Sequence, residues 1–128
     1  MRVIETSTHG YLDYLVGVLL IVAPWAMGFA AGGAETWVPV ILGAGTILYS
    51  LFTDYELSLS HSIPMGVHLL LDLAAGILLA VSPWLFGFAG QVWAPHLVIG
   101  LFEIAVSLTT KRVPYHNSRL QRRTTVVH

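Results

Sequence analysis

The chain has 128 residues, of which 55% are hydrophobic and only 10% are charged, and its mean hydropathy is +0.74. Soluble domains carry about 25% charged residues, so the composition argues against a soluble domain and indicates a protein whose apolar surface faces lipid. The formal net charge of −1 suggests no nucleic-acid partner, and the lack of cysteine excludes disulfides, thiolate metal sites and cysteine nucleophiles.

Four apolar runs, separated by polar connections, predict an all-α bundle of four transmembrane helices. The predicted helices cover residues about 9–30, 37–53, 64–88 and 94–110. A short polar N-terminus, a polar central connection and a basic tail lie at residues 1–8, 54–63 and 111–128. A helix rises about 1.5 Å per residue, so the longer runs can cross a hydrocarbon core of about 30 Å. The first run is too long for a signal peptide, and a near-copy of it recurs later in the chain.

The distribution of basic residues predicts the orientation in the membrane. Of the six Lys and Arg residues, five lie in the tail: Lys111, Arg112, Arg119, Arg122 and Arg123. Because loops and tails rich in Lys and Arg stay on the cytoplasmic side, we expect the tail to be cytoplasmic. Four spans then place both termini and the central connection on that side of a cytoplasmic membrane.

The chain contains an internal duplication. Residues 9–30 align with residues 68–89 without a gap and are identical at twelve of 22 positions. The matched residues with distinctive side chains or backbones are His9/His68, Asp13/Asp72, Gly17/Gly76, Pro24/Pro83, Trp25/Trp84, Gly28/Gly87 and Phe29/Phe88. After a three-residue shift, Trp37-x-Pro39 matches Trp93-x-Pro95, and beyond that point the second helices diverge. We expect two tandem two-helix repeats, 9–53 and 64–110, related by a pseudo-two-fold axis along the membrane normal.

The segments Ala23-Pro24-Trp25-x-x-Gly28-Phe29 and Ser82-Pro83-Trp84-x-x-Gly87-Phe88 resemble the signature of the SPW repeat family of small bacterial membrane proteins. The first copy departs from the motif, because Ala23 replaces serine. The resemblance covers about residues 9–110. It implies a multi-pass protein of the bacterial inner membrane and implies no particular activity.

Each motif is interpreted as the end of the first helix of its repeat. A proline removes one backbone hydrogen bond, so the helix is expected to bend or end early at Pro24 and Pro83. Tryptophan is favoured at membrane interfaces. All four tryptophans are therefore expected to form one belt on the non-cytoplasmic side: Trp25, Trp37, Trp84 and Trp93.

Small residues on the first and third helices predict close helix packing, since glycine lets backbones approach one another. We expect Gly17 and Gly76 to lie where these two helices cross. The alternative is that each glycine faces the second helix of its own repeat.

The repeated His-x-x-x-Asp pairs are the main candidate site. Spacing of four residues places His9 with Asp13, and His68 with Asp72, on one helix face. Two such pairs brought together could bind a divalent metal or relay protons. The simpler interpretation is a hydrogen bond within each helix that supports packing near the cytoplasmic helix ends, without any ligand.

Glu103 lies well inside the fourth run, and the alignment of Trp37 with Trp93 pairs it with Ile47 rather than with an acid. An acid within a membrane helix is a candidate functional residue; the alternatives are a protonated glutamate bonded to a neighbouring helix, or an oligomer contact. His96, which pairs with Val40, is expected at the far interface.

Three functions remain open from the sequence. The first is a non-enzymatic structural or partner-binding membrane protein, which contacts lipid and associates with further copies or with other membrane proteins. The second is a small channel or transporter for protons or metal ions. The third is a membrane enzyme acting on lipid or quinone. No catalytic residue and no cofactor is predicted, and the distinguishing feature is whether the four repeated polar side chains converge.

Overall fold

The computed structural model describes residues 4–53 and 63–110; the predicted basic tail and most of the central connection lie outside these ranges. The four helices are α1 Thr6–Ala26, α2 Ala34–Leu51, α3 Met65–Leu85 and α4 Ala94–Thr109. The described residues form no strand beyond two isolated bridges. The predicted all-α four-helix bundle is confirmed, with helix ends displaced by a few residues from those expected.

The length and apolar composition of the helices indicate a membrane protein. Among the described residues, α1, α2 and α3 are long and apolar enough to cross a membrane by length and composition, whereas α4 is a shorter apolar helix. Fewer than half of the residues in each of the three spans are buried within the chain. Large side chains such as Leu15, Ile41 and Leu70 point outward, which suits contact with lipid rather than water.

Each repeat forms a helical hairpin, α1 with α2 and α3 with α4, and α2 also packs against α3. In each hairpin, the two helices pack against each other at a pair of glycines, one from each helix. A Cβ atom added to Gly43 would lie 2.6 Å from the carbonyl oxygen of Gly17, and one added to Gly100 would lie 2.7 Å from that of Gly76. The expectation that Gly17 and Gly76 lie at a crossing of α1 and α3 is wrong. Each faces the second helix of its own repeat, where glycine alone permits this approach.

The Pro-Trp-x-x-Gly-Phe motif ends the first helix of each repeat. The helices stop two residues after Pro24 and Pro83, earlier than the apolar pattern suggested. Gly28 and Gly87 follow with φ of +77° and +76°, a conformation that glycine adopts without the steric cost of a Cβ atom. The chain then turns back, and the amide of Phe29 donates to the Pro24 carbonyl at 2.9 Å. The positive φ of the glycine therefore ends the helix, and the proline carbonyl accepts a hydrogen bond from the backbone that follows the glycine.

The four tryptophans pair at the hairpin connections. Trp25 and Trp37 lie 6.4 Å apart between ring centroids, and Trp84 and Trp93 lie at the same distance. All four are about half exposed. This arrangement has the apolar contact and accessible edge expected of an interfacial belt.

At the other end of the bundle, the chain segments that flank the helices pair with one another. The amide of Ile4, before α1, donates to the carbonyl of Thr109 at the end of α4 at 2.9 Å. Likewise, the amide of Ile63, before α3, donates to the carbonyl of Phe52 after α2 at 2.7 Å. These two bonds join the repeats directly beside the repeated histidines.

Candidate functional site

The four repeated polar side chains meet inside the bundle. His9 and Asp13 come from α1, His68 and Asp72 come from α3, and all four residues are fully buried. Each residue offers one possible ligand atom, an imidazole nitrogen or a carboxylate oxygen, and these four atoms all lie within 4.8 Å of one another. We call these four residues the His–Asp cluster. Helical spacing of four places each pair on one face, and the packing of the two repeats brings the faces together.

The shortest contacts in the His–Asp cluster cross between the repeats. His9 Nε2 lies 2.6 Å from Asp72 Oδ2, and His68 Nε2 lies 2.5 Å from Asp13 Oδ2. Within each helix the corresponding distances are longer, 3.0 Å for His9 to Asp13 and 3.1 Å for His68 to Asp72. The interpretation of each pair as a purely intrahelical hydrogen bond is therefore wrong. The histidine of each repeat bonds the aspartate of the other.

Two threonines fix the orientation of the histidines. His9 Nδ1 lies 2.8 Å from the hydroxyl of Thr110, and His68 Nδ1 lies 2.7 Å from that of Thr53. Each hydroxyl also donates to a backbone carbonyl four residues earlier, at 2.7 Å. Since a hydroxyl has one proton to donate, it accepts from the imidazole. Each Nδ1 therefore carries a proton, and each Nε2 faces the carboxylates.

The two aspartates differ in their remaining partners. The phenol of Tyr49 donates to Asp72 Oδ1, and the ring of Tyr49 also packs edge-on against His68, with centroids 5.0 Å apart. Asp13 Oδ1 has no hydrogen-bond partner among the described residues, although it is buried. The nearest comparable group is the hydroxyl of Ser50, which lies 3.5 Å from Asp13 Oδ2, at the outer limit for a hydrogen bond.

The second helices are also duplicated. Their equivalent residues are offset by one position from the alignment that matches Trp37 with Trp93. Ile47 packs on Gly17 as Ile104 packs on Gly76. The corresponding pattern is Gly43-x-x-Thr46-x-x-x-Ser50-x-x-Thr53 and Gly100-x-x-Glu103-x-x-x-Ser107-x-x-Thr110. This shared Gly-x₆-Ser-x₂-Thr spacing was the signal that could have revealed the two threonines.

The offset changes the interpretation of Glu103. Its equivalent is Thr46, not Ile47, because both follow the packing glycine by three residues. Glu103 is buried, and its carboxyl interacts electrostatically with all four residues of the His–Asp cluster. By the same offset, the position of Tyr49 corresponds to Val106. A valine cannot donate a hydrogen bond, which explains why Asp13 lacks the phenol contact that Asp72 has.

His96 lies at the tryptophan end of the bundle and is not part of the His–Asp cluster. It is buried, with Phe29 and Phe88 at ring-centroid distances of 5.2 and 4.8 Å. Its Nε2 donates to the carbonyl of Glu35 at 2.9 Å. Pro39 has no N–H to reach that carbonyl, and it lies beyond the first turn of α2 rather than within it. His96 therefore supplies the hydrogen bond that Pro39 removes.

The turn between α1 and α2 is held by a further buried acid, Glu35. The carboxylate of Glu35 accepts hydrogen bonds from the amides of Ala31 and Gly33 and from the hydroxyl of Thr36. It lies in the first turn of α2, where a negative charge favours the helix. Glu35 therefore holds the backbone of the connection between α1 and α2 in place.

The profile of the SPW repeat domain matches residues 7–110, which is most of the chain. The chain belongs to the SPW repeat family. The matched range begins beside His9 and ends at Thr110, so it includes both SPW repeats and the whole His–Asp cluster. No curated protein and no solved structure matches the chain significantly. The family and the apolar helices together indicate a membrane protein.

Two carboxylates and two imidazoles in a fully buried space restrict the chemistry of this site. A buried carboxylate needs a compensating cation and hydrogen bonds. The His–Asp cluster can supply these internally, as imidazolium–carboxylate pairs, or can receive them from a bound cation. It contains no serine or cysteine nucleophile within its four members.

Proposed function

We propose that the protein is a non-enzymatic, multi-pass membrane protein with a structural or partner-binding role, in which the His–Asp cluster joins the two SPW repeats. The observation that carries this proposal is the crossed pairing of His9 with Asp72 and His68 with Asp13. Each contact links one repeat to the other, and all four residues are inaccessible to solvent. Groups placed in this way hold helices together, and the outward apolar faces are free for lipid, further copies or other membrane proteins.

The proposed location is the inner membrane of a bacterium, with both termini in the cytoplasm. The chain ends that flank the helices lie together at the His–Asp end of the bundle. The basic tail follows from that end, and the positive-inside rule favours the cytoplasmic side for it. The tryptophan pairs then belong to the opposite interface.

Single-cysteine labelling tests this orientation, because the chain contains no cysteine of its own. A membrane-impermeant thiol reagent applied to intact spheroplasts is expected to label Gly90→Cys, in the α3–α4 connection, and to leave Arg122→Cys unlabelled until the membrane is opened. Labelling of Arg122→Cys in sealed spheroplasts would contradict the proposed topology.

Transport of protons or metal ions is the second candidate function. It is favoured by one observation: Glu103, in the middle of α4, is buried and packs against Gly76 of α3, one helical turn from Asp72. Acidic residues at this depth commonly mark ion or proton pathways. A transporter would use His9, Asp13, His68 and Asp72 as the relay and Glu103 as a further step.

Flux measurements separate the two candidates. Under the structural proposal, liposomes containing the wild-type protein are expected to show no more proton or divalent-ion flux than empty liposomes. Asp13→Asn combined with Asp72→Asn is expected to leave this flux unchanged. A protein-dependent flux that these substitutions or Glu103→Gln abolish, while His96→Gln retains it, would favour the transporter instead.

A further inference from the structure

We infer that the His–Asp cluster is a binding site for one divalent transition-metal ion of the zinc type. The ligands are Nε2 of His9 and His68 and one carboxylate oxygen each from Asp13 and Asp72. The inference goes beyond the joint between the repeats, since it names a ligand, and it does not require transport.

The geometry of the four ligand atoms fits such an ion. The contacts between imidazole nitrogens and carboxylate oxygens range from 2.5 to 3.1 Å. A tetrahedral ion with bonds of about 2.0 Å has ligand atoms about 3.3 Å apart. The paired ligand atoms therefore need to separate by about 0.2 Å for the longest of these contacts and about 0.8 Å for the shortest, which side-chain rotations can supply.

Orientation of the imidazoles is also suited to a metal. The hydroxyls of Thr110 and Thr53 each accept a hydrogen bond from the Nδ1–H of a histidine, which leaves the Nε2 atoms of His9 and His68 directed at the carboxylates. Histidines that bind metals usually donate their other ring N–H to a fixed acceptor, which sets the tautomer and the ring direction. The two threonines are thus supporting residues of the site.

An independent observation concerns the hydrogen bonding of Asp13. Asp13 Oδ1 is fully buried and has no hydrogen-bond partner among the described residues, because Val106 occupies the position that Tyr49 fills in the other repeat. Its contact within the His–Asp cluster is an ion pair with His9 Nε2 at 3.0 Å. An unsatisfied buried carboxylate oxygen is costly, and a metal ion at the centre would coordinate it.

Charge and donor type select the ion. Two aspartates balance a divalent cation, so the occupied site is neutral inside the bundle. Two nitrogen and two oxygen donors suit zinc and neighbouring first-row metals, whereas calcium and magnesium prefer oxygen ligands alone. The other titratable groups facing the site are Tyr49 from α2 and Glu103 from α4; neither is required as a ligand.

Metal content of the full-length protein tests the inference. The three histidines outside the described ranges, His61, His116 and His128, are first replaced by asparagine to remove competing surface ligands. After zinc loading and gel filtration in detergent, this protein is expected to retain one zinc ion per chain. Asp13→Asn with Asp72→Asn is expected to weaken zinc binding by at least about 100-fold, while the matched control His96→Gln leaves it unchanged.

Two further measurements keep the test decisive if the double aspartate variant does not fold. Cobalt bound to the folded protein is expected to give the intense visible absorption of a tetrahedral ion. Thr53→Val with Thr110→Val, which keeps all four ligands, is expected to weaken binding by about 10- to 100-fold. A protein that retains no zinc, or binds cobalt with octahedral absorption, or binds equally well with both aspartates replaced, would overturn the site. Failure of the metal inference would not contradict the proposal that the His–Asp cluster joins the repeats, because that proposal is tested separately by unfolding with a chelator present.

Discussion

Replacement of Asp72 by alanine is expected to lower the free energy of unfolding by about 3–5 kcal/mol, the range for removing one partner of a buried ion pair. Asp72 accepts from His9 at 2.6 Å and from the phenol of Tyr49, and it lies 3.1 Å from His68. Its loss removes the shortest contact of His9 and the acceptor of the Tyr49 hydroxyl, and it leaves two buried imidazoles with Asp13 as their one remaining carboxylate in the His–Asp cluster. Reversible unfolding in mixed micelles, with a chelator present, measures the change.

A double-mutant cycle shows whether this cost belongs to the crossed pair. We expect His9→Ala and Asp72→Ala to be strongly non-additive, with an interaction energy of about 1–3 kcal/mol. His96→Ala is the matched control, because His96 is equally buried but lies at the other end of the bundle. Its effect is expected to add to that of Asp72→Ala within about 0.5 kcal/mol. Additivity in the first cycle would show that the His–Asp cluster does not join the repeats.

Gly100→Ala is expected to destabilise the second hairpin by about 1–3 kcal/mol, the usual cost of overpacking a tight contact. The added Cβ would lie 2.6 Å from the backbone nitrogen of Ala80 and 2.7 Å from the carbonyl oxygen of Gly76. Neither atom belongs to a flexible side chain, so α3 and α4 must move apart. The same unfolding measurement in micelles reports the loss.

Gly45→Ala provides the control within another helix of the same bundle. No atom lies within 4 Å of a Cβ atom added there, and alanine is favoured over glycine inside a helix by about 0.5–1 kcal/mol. Gly45→Ala is therefore expected to be neutral or stabilising. A similar effect at both positions would mean that the Gly76–Gly100 contact does not hold the hairpin.

Several features of the fold follow from local sequence. The apolar runs predict four helices because their length and hydropathy do not depend on what the helices contact. The motif Pro24-Trp25-x-x-Gly28-Phe29 likewise predicts a helix end, although the left-handed glycine that produces it was recognised only in the structure. Residue identity at His9, Asp13, His68 and Asp72 was sufficient to nominate the candidate site.

Other features depended on which helix packs against which. Gly17 could face α3 or α2 with equal local justification, and the spacing of small residues contains no information on the choice. Aligning Trp37 with Trp93 places α2 and α4 one residue out of register and so concealed the equivalence of Thr53 with Thr110. An error of one residue rotates every compared position by about 100° around the helix. The first error concerns which helix a glycine faces, and residue spacing does not encode that choice. The second could have been avoided from the Gly-x₆-Ser-x₂-Thr spacing that α2 and α4 share.

By itself, the sequence determined that this is a duplicated, four-helix membrane protein with a His and an Asp on one face of each repeat. Composition and periodicity suffice for that, since they reflect the demands of lipid on every segment separately. Only the tertiary structure decided that each histidine bonds the aspartate of the other repeat, and that Asp13 retains a buried oxygen without a hydrogen-bond partner. Those facts arise because hydrogen-bonding atoms must come within about 3 Å of one another, so a single residue such as Val106 in place of tyrosine changes which atoms can pair.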